Sequence, residues 1–418
     1  MALAVPNHQV VRPAFPRRPG TAHGLSGSWL GRVVLTGFRN YRAADVSVDR
    51  RPVVLTGPNG AGKTNLLEAI SFLAPGRGLR QARLEEVDRR SPAEEDGRRT
   101  AAAWGVAATI CREDGPIEIG TGRDPEALDQ GRDRRLVKIN GAFAPGPSAL
   151  ADQASIIWLT PQMDRLFLDG AGARRRFLDR LVYGFDPDHA RRLTRYERVL
   201  HERSQLLRQG GPGGWDAAWL AAIEQQIAEG GVAVAAARRE LVQRLGQAAA
   251  GGIGPFPRAG LALGGIVDMW LADMPALAVE DAVRRQLAAD RTKDSETGGA
   301  QCGPHRSDLL VTDLATGLPA AQCSTGEQKA LLLSIVLAHA RLQLDSRGLA
   351  PILLLDEVAA HLDAVRRSAL FEELLALDVQ AWLTGTDAAL FAELGEQAQF
   401  FRVRAATIAP LPAAARTA

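Results

Sequence analysis

The chain has 418 residues, 46% of them hydrophobic and 23% charged, with a formal net charge of +2 and a pI near 8.6. That length and balance fit two or three ordinary globular domains and leave the partner open, because so small a net charge points to neither nucleic acid nor membrane. Cys111, Cys302 and Cys323 form no C-x-x-C pair and no apolar run is long enough to span a bilayer, which excludes a disulfide scaffold, a zinc site of the usual spacing and a membrane-spanning helix, and sets the expectation of a reduced, cytoplasmic protein.

The first 28 residues include VRPAFPRRPGTAHG. They lack the apolar core of a signal peptide and read as a disordered leader or as the product of a misplaced start codon. From Arg32, RVVLTGFRNYRAADVSV reads as strand, turn, strand, and Val53 to Leu55 as a third strand. Gly57, Pro58, Asn59, Gly60, Ala61, Gly62, Lys63 and Thr64 then fit G-x-x-x-x-G-K-T, followed by an apolar stretch at helical spacing. In a strand, loop and helix context the glycines let backbone N–H groups surround a phosphate. Lys63 reaches the outer phosphates, and the Thr64 hydroxyl is placed for Mg²⁺. Only four of the 50 basic residues are lysines, so a compact ammonium has been kept where a phosphate needs a point charge.

Further strand signals run from Ala101 to Ile119, through LVKINGAFA with its Asn140-Gly141 turn, and through ASIIWLTPQ, giving a sheet-rich front with one long helix. At about Gly170 the pattern becomes helical. RRRFLDRL and a basic segment up to Arg208 precede a GGPGGWD break, a second long periodic stretch follows, and GGIGPFPRAGLALGG closes a helical hairpin whose helices are each expected to hold about twenty to thirty residues. A shorter helix, VEDAVRRQLAADR, comes next. Strands return after Cys302, and ILLLDEV and AWLTGTD have the continuous apolar look of a buried parallel sheet. The expected organisation is a leader over 1–28, the first half of an α/β domain over 29–170, an inserted α-helical hairpin domain over 171–295 and the second half of the α/β domain over 296–418.

The apolar run 352–355 ends in Asp356 and Glu357 at the C-terminal end of a strand, where open α/β sheets bind ligands. Asp356 suits Mg²⁺, and Glu357 suits orientation or deprotonation of an attacking water. Ser324, Thr325, Gly326 and Glu327 open an apolar helix. Ser324 with Glu327 is a capping box, whereas Gly326 is a poor helix former that a cap does not need and that bares N–H groups for a second phosphate contact. The order of phosphate loop, S-x-G-E-x-K helix, acidic strand and HLD resembles the ATP-binding cassette pattern, in which the signature of one subunit closes on nucleotide held by the other. Thr64 and Ser324 stand 260 positions apart (324 minus 64), too far for a transporter cassette, and the helices are too short for the arms of SMC proteins.

LTGFRNYR, GPNGAGKTNLLEAI, RRRFLDRL, GPHRSDL and STGEQKALLLSIVLAHA, in that order, resemble the RecF family of bacterial recombination and repair proteins from about Val33 to about Asp387. The resemblance implies an α/β fold of the ABC-type ATPase head, a P-loop NTPase that binds ATP with Mg²⁺ and forms an ATP-dependent homodimer. It implies DNA at single-strand gaps or junctions, weak DNA-dependent ATPase activity, recombinase loading, and RecR and RecO as partners. It also places Gln162 at nucleotide and metal, and Arg39 and Asn40 near the nucleotide. Glu357, Ala360, Glu327 and Asp387 depart from the residues usual in the pattern. His305 and Arg306 of GPHRSDL either face nucleotide or signature helix, or belong to a structural turn. The alternative class is an ATP-gated scaffold with negligible turnover.

Ten arginines oppose five acids between Arg174 and Arg208, and Arg191, Arg195 and Arg198 share one helical face. The face is either solvated surface or a sequence-tolerant, salt-sensitive contact for DNA phosphates.

Overall fold

The computed structural model of the chain describes residues 28–89, 103–210 and 214–412, so the leader expected over 1–28 lies outside the described residues except for Ser28. The chain begins with β1 (Trp29–Phe38), β2 (Tyr41–Ser47) and β3 (Val53–Thr56), followed by helix α1 (Lys63–Ser71) and the single turn α2 (Leu84–Val87). Next come β4 (Gly105–Cys111), β5 (Ile117–Arg123), α3 (Pro125–Asp129), β6 (Arg135–Ile139), β7 (Ala142–Phe143) and β8 (Ile156–Leu159). Helices α4 (Ala171–Tyr183), α5 (Asp188–Gly210) and α6 (Ala217–Gly251) precede β9 (Ala259–Gly264), α7 (Ile266–Asp273), α8 (Ala276–Ala289) and α9 (Arg291–Thr297). The remainder is β10 (Asp308–Asp313), α10 (Thr325–Arg347), β11 (Ile352–Leu355), α11 (Ala364–Ala376), β12 (Ala381–Gly385), β13 (Gln399–Arg404) and β14 (Thr407–Pro410).

Two six-stranded sheets carry the head. In the first, ordered β2-β1-β4-β5-β6-β7, neighbouring strands are antiparallel, and β4 alternates between buried and more exposed residues because one face packs inward and the other meets water. Asn140 and Gly141 both take positive φ, 48° and 80°, and join β6 to β7 as a two-residue hairpin. The second sheet, ordered β14-β13-β3-β12-β11-β8, is parallel from β13 to β8. Every residue of β3, β8, β11 and β12 is buried, as expected of a sheet covered on both faces. Helix α1 sits between the sheets with Leu66, Leu67 and Ile70 fully buried, and Phe38, Phe72 and Trp104 pack as an aromatic cluster with centroids 4.9–5.9 Å apart. The long helix expected in this half is only nine residues. Pro75 disfavours helical geometry for the residue before it, and Gly76 at φ 92° turns the chain away.

The helical insertion differs from expectation in three ways. Helix α6 has 35 residues, roughly 52 Å at 1.5 Å per residue, longer than the sequence suggested. The segment read as a closing loop contains β9, which pairs antiparallel with β10. And the hydrophobic clusters do not divide at residue 171. Phe177, Leu178, Leu181 and Val182 of α4, with Leu241, Val242, Leu245 and Ala249 of α6, belong to the same core as β11, β12 and α10. A separate cluster, including Tyr196, Val199, Ile223, Ile227, Val232, Val279, Val283 and Leu287, forms the arm itself. The arm is fastened by Arg203, fully buried, which donates to Glu224 (3.0 Å), Asp294 (2.7 Å) and the Leu287 carbonyl (2.7 Å). A buried cation with its donors so engaged is expensive to unpair, and it holds α5, α6, α8 and α9 in one arrangement. No helix among the described residues is long and apolar enough to cross a membrane.

Where α10 crosses α4, the fully buried His339 donates its Nε2–H to the Leu181 carbonyl at 2.8 Å, and Phe185 meets the ring edge to face at 5.1 Å. Its Nδ1 has no hydrogen-bond partner among the described residues, and burial pushes the pKa down to about 4. The neutral ring is favoured in the folded state, so its contribution is complete above the unfolded value near 6.5 and is lost as pH falls towards about 4. The thermal midpoint should therefore decline between pH 6.5 and 4.5, and His339→Gln should flatten that decline. A His339→Gln profile parallel to the parent's would show that this ring does not set the acid limb.

Candidate active site

The registers of the parallel sheet bring four chain segments to one edge. Thr56 lies beside Gly385, Leu355 beside Leu383 and Leu355 beside Leu159, so the glycine loop, Asp356, the residues after β12 and the Gln162 turn all leave the sheet at its C-terminal end. Chain distances of hundreds of residues are thereby converted into contacts.

The loop's glycines are required for different reasons. A Cβ on Gly57 would lie 2.1 Å from the Val403 carbonyl oxygen of β13, and one on Gly62 would lie 2.7 Å from the Tyr41 hydroxyl and 2.8 Å from Asn40 Nδ2. Gly60 has open space around it but φ of 77°, a conformation that glycine adopts at little cost. Pro58, Asn59 and Gly60 form the exposed crown, while Ala61, Gly62 and Lys63 are buried at its base. Asn40 Nδ2 donates to the Ala61 carbonyl at 3.2 Å and the Tyr41 hydroxyl to the Gly62 carbonyl at 3.0 Å. The Lys63 ammonium donates to the Gly57 and Pro58 carbonyls at 2.6 and 3.0 Å. Burial lowers its pKa, opposed by the charges of Glu357 and Asp356.

Behind the loop, the fully buried Glu68 of α1 receives Arg39 Nε (2.9 Å) and Nη2 (2.6 Å) and also Arg80 Nη1. Arg39 donates a further bond to the Glu86 carbonyl, and Arg80 Nη1 reaches Asn65 Oδ1 at 2.7 Å. Arg39 and Asn40, expected near the nucleotide, are bonded here to Glu68 and to the Ala61 carbonyl of the loop. Glu68, Asn65 and Arg80 went unnoticed in the sequence. A lone carboxylate inside NLLEAI was a usable signal for the first, since such a group is rarely buried unpaired.

Across the loop, Thr64 Oγ1 lies 3.0 Å from both Asp356 carboxylate oxygens. Thr384, from β12, donates its hydroxyl to Asp356 Oδ1 at 2.7 Å and accepts the Glu357 N–H at 2.8 Å. That acceptance holds Glu357 at φ 53°, a conformation that a non-glycine side chain adopts at a cost and that recurs at functional sites. Desolvation raises the pKa of Asp356, which is only 3% exposed, while the Thr384 and Thr64 hydroxyls oppose the rise. Thr384 had no signal in the sequence, because threonine is an ordinary strand residue.

Gln162 is exposed in the turn Pro161–Arg165 that follows β8. Ser324, Thr325, Gly326 and Glu327 are all exposed at the start of α10. Ser324 N–H donates to Glu327 at 2.8 Å and Glu327 N–H to Ser324 Oγ at 3.4 Å, so the capping box forms, while Gly326 borders open space. Lys329, one turn further on, pairs with Asp164 at 3.2 Å and ties the helix to the Gln162 turn. Asp387 caps the turn Ala388–Gln397 through the Ala389 N–H at 2.9 Å. His305 and Arg306 do not face the loop or the signature: both bond to the Ala300 carbonyl, at 2.8 and 3.0 Å. On α5, Arg191 is held by Asp152 at 2.7 Å and by Asp188, whereas Arg195 and Arg198 are exposed with no ion pair among the described residues.

Thr384 is 1% exposed, and its hydroxyl satisfies a carboxylate and a backbone N–H at once. Thr384→Val should lower the unfolding free energy by about 1–3 kcal/mol, and Thr384→Ser by much less. Urea and thermal unfolding check this; a valine variant as stable as the parent would show that the hydroxyl carries no load.

The profile described as the RecF/RecN/SMC N-terminal domain matches residues 29–408. The DNA replication and repair protein RecF of Allorhizobium ampelinum is 47% identical over 378 residues, covering 90% of this chain and 97% of the relative. RecF of Mesorhizobium japonicum is 47% identical over 383 residues, covering 91% and 97%. Among solved structures, a recombination mediator RecF in complex with ATP shares the fold at TM-score 0.78 and 20% identity, over 94% of this chain and all of that one. The Smc head domain of Pyrococcus furiosus bound to a ScpA domain aligns at TM-score 0.51 and 16% identity, over 92% and 96%. With the profile spanning both halves of the head and relatives nearly half identical along nine-tenths of its length, the chain belongs to the RecF family of DNA replication and repair proteins.

Proposed function

We propose that this RecF-family head binds and hydrolyses ATP with Mg²⁺, that two copies close on the nucleotide, and that the closed pair holds DNA at gaps or junctions until hydrolysis releases it. The observation that carries this reading is the convergence of Lys63, Thr64, Asp356 and Glu357 at one sheet edge, locked by the Thr384 hydroxyl. The fit to the metal rests on the donor set. Among the described residues there is no group of three or more carboxylates, histidines or cysteines able to cage a metal. One hydroxyl and one carboxylate 3.0 Å apart are instead the protein's share of a Mg²⁺ site whose remaining ligands come from phosphate and water. Mg²⁺, when bound, neutralises charge on the phosphate oxygens. Lys63 and the loop N–H groups hold those oxygens, Thr64 and Asp356 hold the metal, and Glu357 orients a water and accepts its proton.

The exposure of Ser324 to Glu327 supports dimerisation, because a helix start with bare N–H groups at the surface suits a phosphate presented by a second copy. A family relative of known structure carries ATP, which agrees with this use of the loop. Arg195 and Arg198 supply the DNA face; Arg191, already neutralised by two carboxylates, contributes less than its position suggested. Loading of recombinase, partnership with RecR and RecO and a cytoplasmic location complete the proposal, as the family resemblance implies.

Glu357→Gln keeps the side chain's reach and removes its basicity, so ATP hydrolysis should fall by roughly 10²- to 10⁴-fold with ATP binding retained. The variant should also hold DNA longer than the parent when ATP and Mg²⁺ are present and no longer without them. Parental turnover in this variant would remove Glu357 from the chemistry. Reversing charge at Arg195 and Arg198 together should weaken DNA binding and lower its salt slope by about 0.9 log unit for each DNA phosphate that is no longer neutralised. An unchanged slope, measured by titration at several salt concentrations, would return the face to solvent.

A further inference from the structure

The stretch GPHRSDL, Gly303 to Leu309, plays no part in the chemistry above, yet it is bonded to α4, α5, α6 and α7. Gly303, at φ 141°, brings the chain so close to α5 that a Cβ would lie 2.5 Å from the Tyr196 hydroxyl. His305 Nε2 lies 2.8 Å from the Ala300 carbonyl, which can only accept, so Nδ1 accepts the Tyr196 hydroxyl proton at 2.6 Å. Pro304 presses on α6 at Gly231, where a Cβ would lie 3.2 Å from the proline ring and 3.0 Å from Tyr196, and the Pro304 carbonyl accepts from Arg238 at 2.6 Å. Arg238 in turn grips Asp179 of α4 with two bonds of 2.7 and 2.8 Å. Ser307 bonds Asp268 of α7, and its carbonyl accepts from Arg175 of α4 at 2.7 Å.

The last polar residue of the stretch connects this assembly to the site. Asp308 receives Arg174 Nε at 2.7 Å and Nη2 at 2.8 Å, a paired geometry that fixes orientation as well as distance. The remaining nitrogen of Arg174, Nη1, donates to the carbonyls of Leu166 (3.2 Å), Phe167 (3.3 Å) and Asp169. Those carbonyls end the segment that begins with Gln162 at the site edge. Local helix preferences do not account for this arginine. It stands in the first turn of α4, where the dipole disfavours a cation, and Gly170 before it supplies no side-chain cap. Its place is explained by the two bodies it joins.

We propose that Gly303–Leu309 is the joint through which the arm senses the Gln162 segment, with Arg174 as its positioning residue. The proposal rests on the reading that nucleotide binds at the loop and DNA on α5. A displacement of the Gln162 segment moves the carbonyls that Arg174 holds, and the rigid pairing carries the displacement to Asp308. From there it passes along a short stretch bonded directly to α5, α6 and α7, the helices that carry the arm. Arg174 touches no substrate, and Tyr196 lies wholly on the arm side, so each can be altered without entering the site.

The test compares affinity for a fluorescently labelled gapped duplex with and without adenylyl imidodiphosphate and Mg²⁺, in the full chain. Arg174→Lys keeps the charge but cannot reach carboxylate and carbonyls together, and Tyr196→Phe removes only the hydroxyl bonded to His305. Both should bind nucleotide like the parent and DNA alone like the parent, while the nucleotide-dependent gain in DNA affinity falls by about 3- to 30-fold. Val283→Ala, which loosens the arm's core away from the joint, should keep that gain. A gain unchanged in both joint variants, or lost equally in Val283→Ala, overturns the joint while leaving the proposed function intact. A parent whose DNA affinity ignores nucleotide overturns the functional reading first, and the joint with it.

Discussion

The hydrogen bonds between Thr64 and Asp356 span 292 positions of chain, and the arrangement of the head follows from making them possible. A parallel sheet sets a carboxylate opposite the glycine loop by aligning strand ends that are remote in sequence. That alignment demands strands buried on both faces, which VVLT, IIWL, ILLL and AWLTG are. It also demands something to fix the carboxylate, because an apolar edge alone would leave Asp356 desolvated and mobile. The Thr384 hydroxyl does this from the neighbouring strand and, with the same oxygen, sets the backbone of Glu357.

A second layer of polar fixation lies behind the loop. Glu68 is fully buried, and two guanidiniums meet it, one from the β1–β2 turn and one from the segment after α1. Such an arrangement costs desolvation and returns geometry: it fixes α1, which follows the loop, to the β1–β2 turn and to the segment around Arg80. The same device recurs at the root of the arm, where Arg238 and Asp179 are buried together between α6 and α4. In both places a fully engaged arginine joins pieces that apolar packing alone would let drift. The heavy preference for arginine over lysine suits this use, since a planar fork can serve two partners in fixed directions.

The arm is therefore less independent than a hairpin on a head. Its two long helices share a core of their own near Tyr196 and Ile227, but the last third of α6 is part of the head's core. Charge on the arm follows a similar pattern. Part of the arginine excess between residues 174 and 208 is already engaged: Arg174, Arg191, Arg192 and Arg203 are paired, and Arg180 is buried over the Trp158 ring at 3.9 Å. Arg195 and Arg198, like Arg176 and Arg208, are exposed without an ion pair among the described residues.

Local pattern alone determined the parts whose chemistry is local. The strand, loop and helix around Lys63, the acidic end of β11, the capping box at Ser324 and the Asn140-Gly141 turn each depend on residues within a few positions of one another, so their signals survive in the linear order. Tertiary structure decided the rest. Thr384, Glu68 and Arg80 matter only through partners that the fold brings to them, and GPHRSDL, conspicuous as a string, acquired a role only when Tyr196, Arg238, Asp268 and Arg174 arrived around it. The extent of the arm's own hydrophobic cluster differs from the 171–295 range for the same reason. Helical periodicity reports which face of a helix is buried, but the identity of the core that buries it is a property of packing in three dimensions.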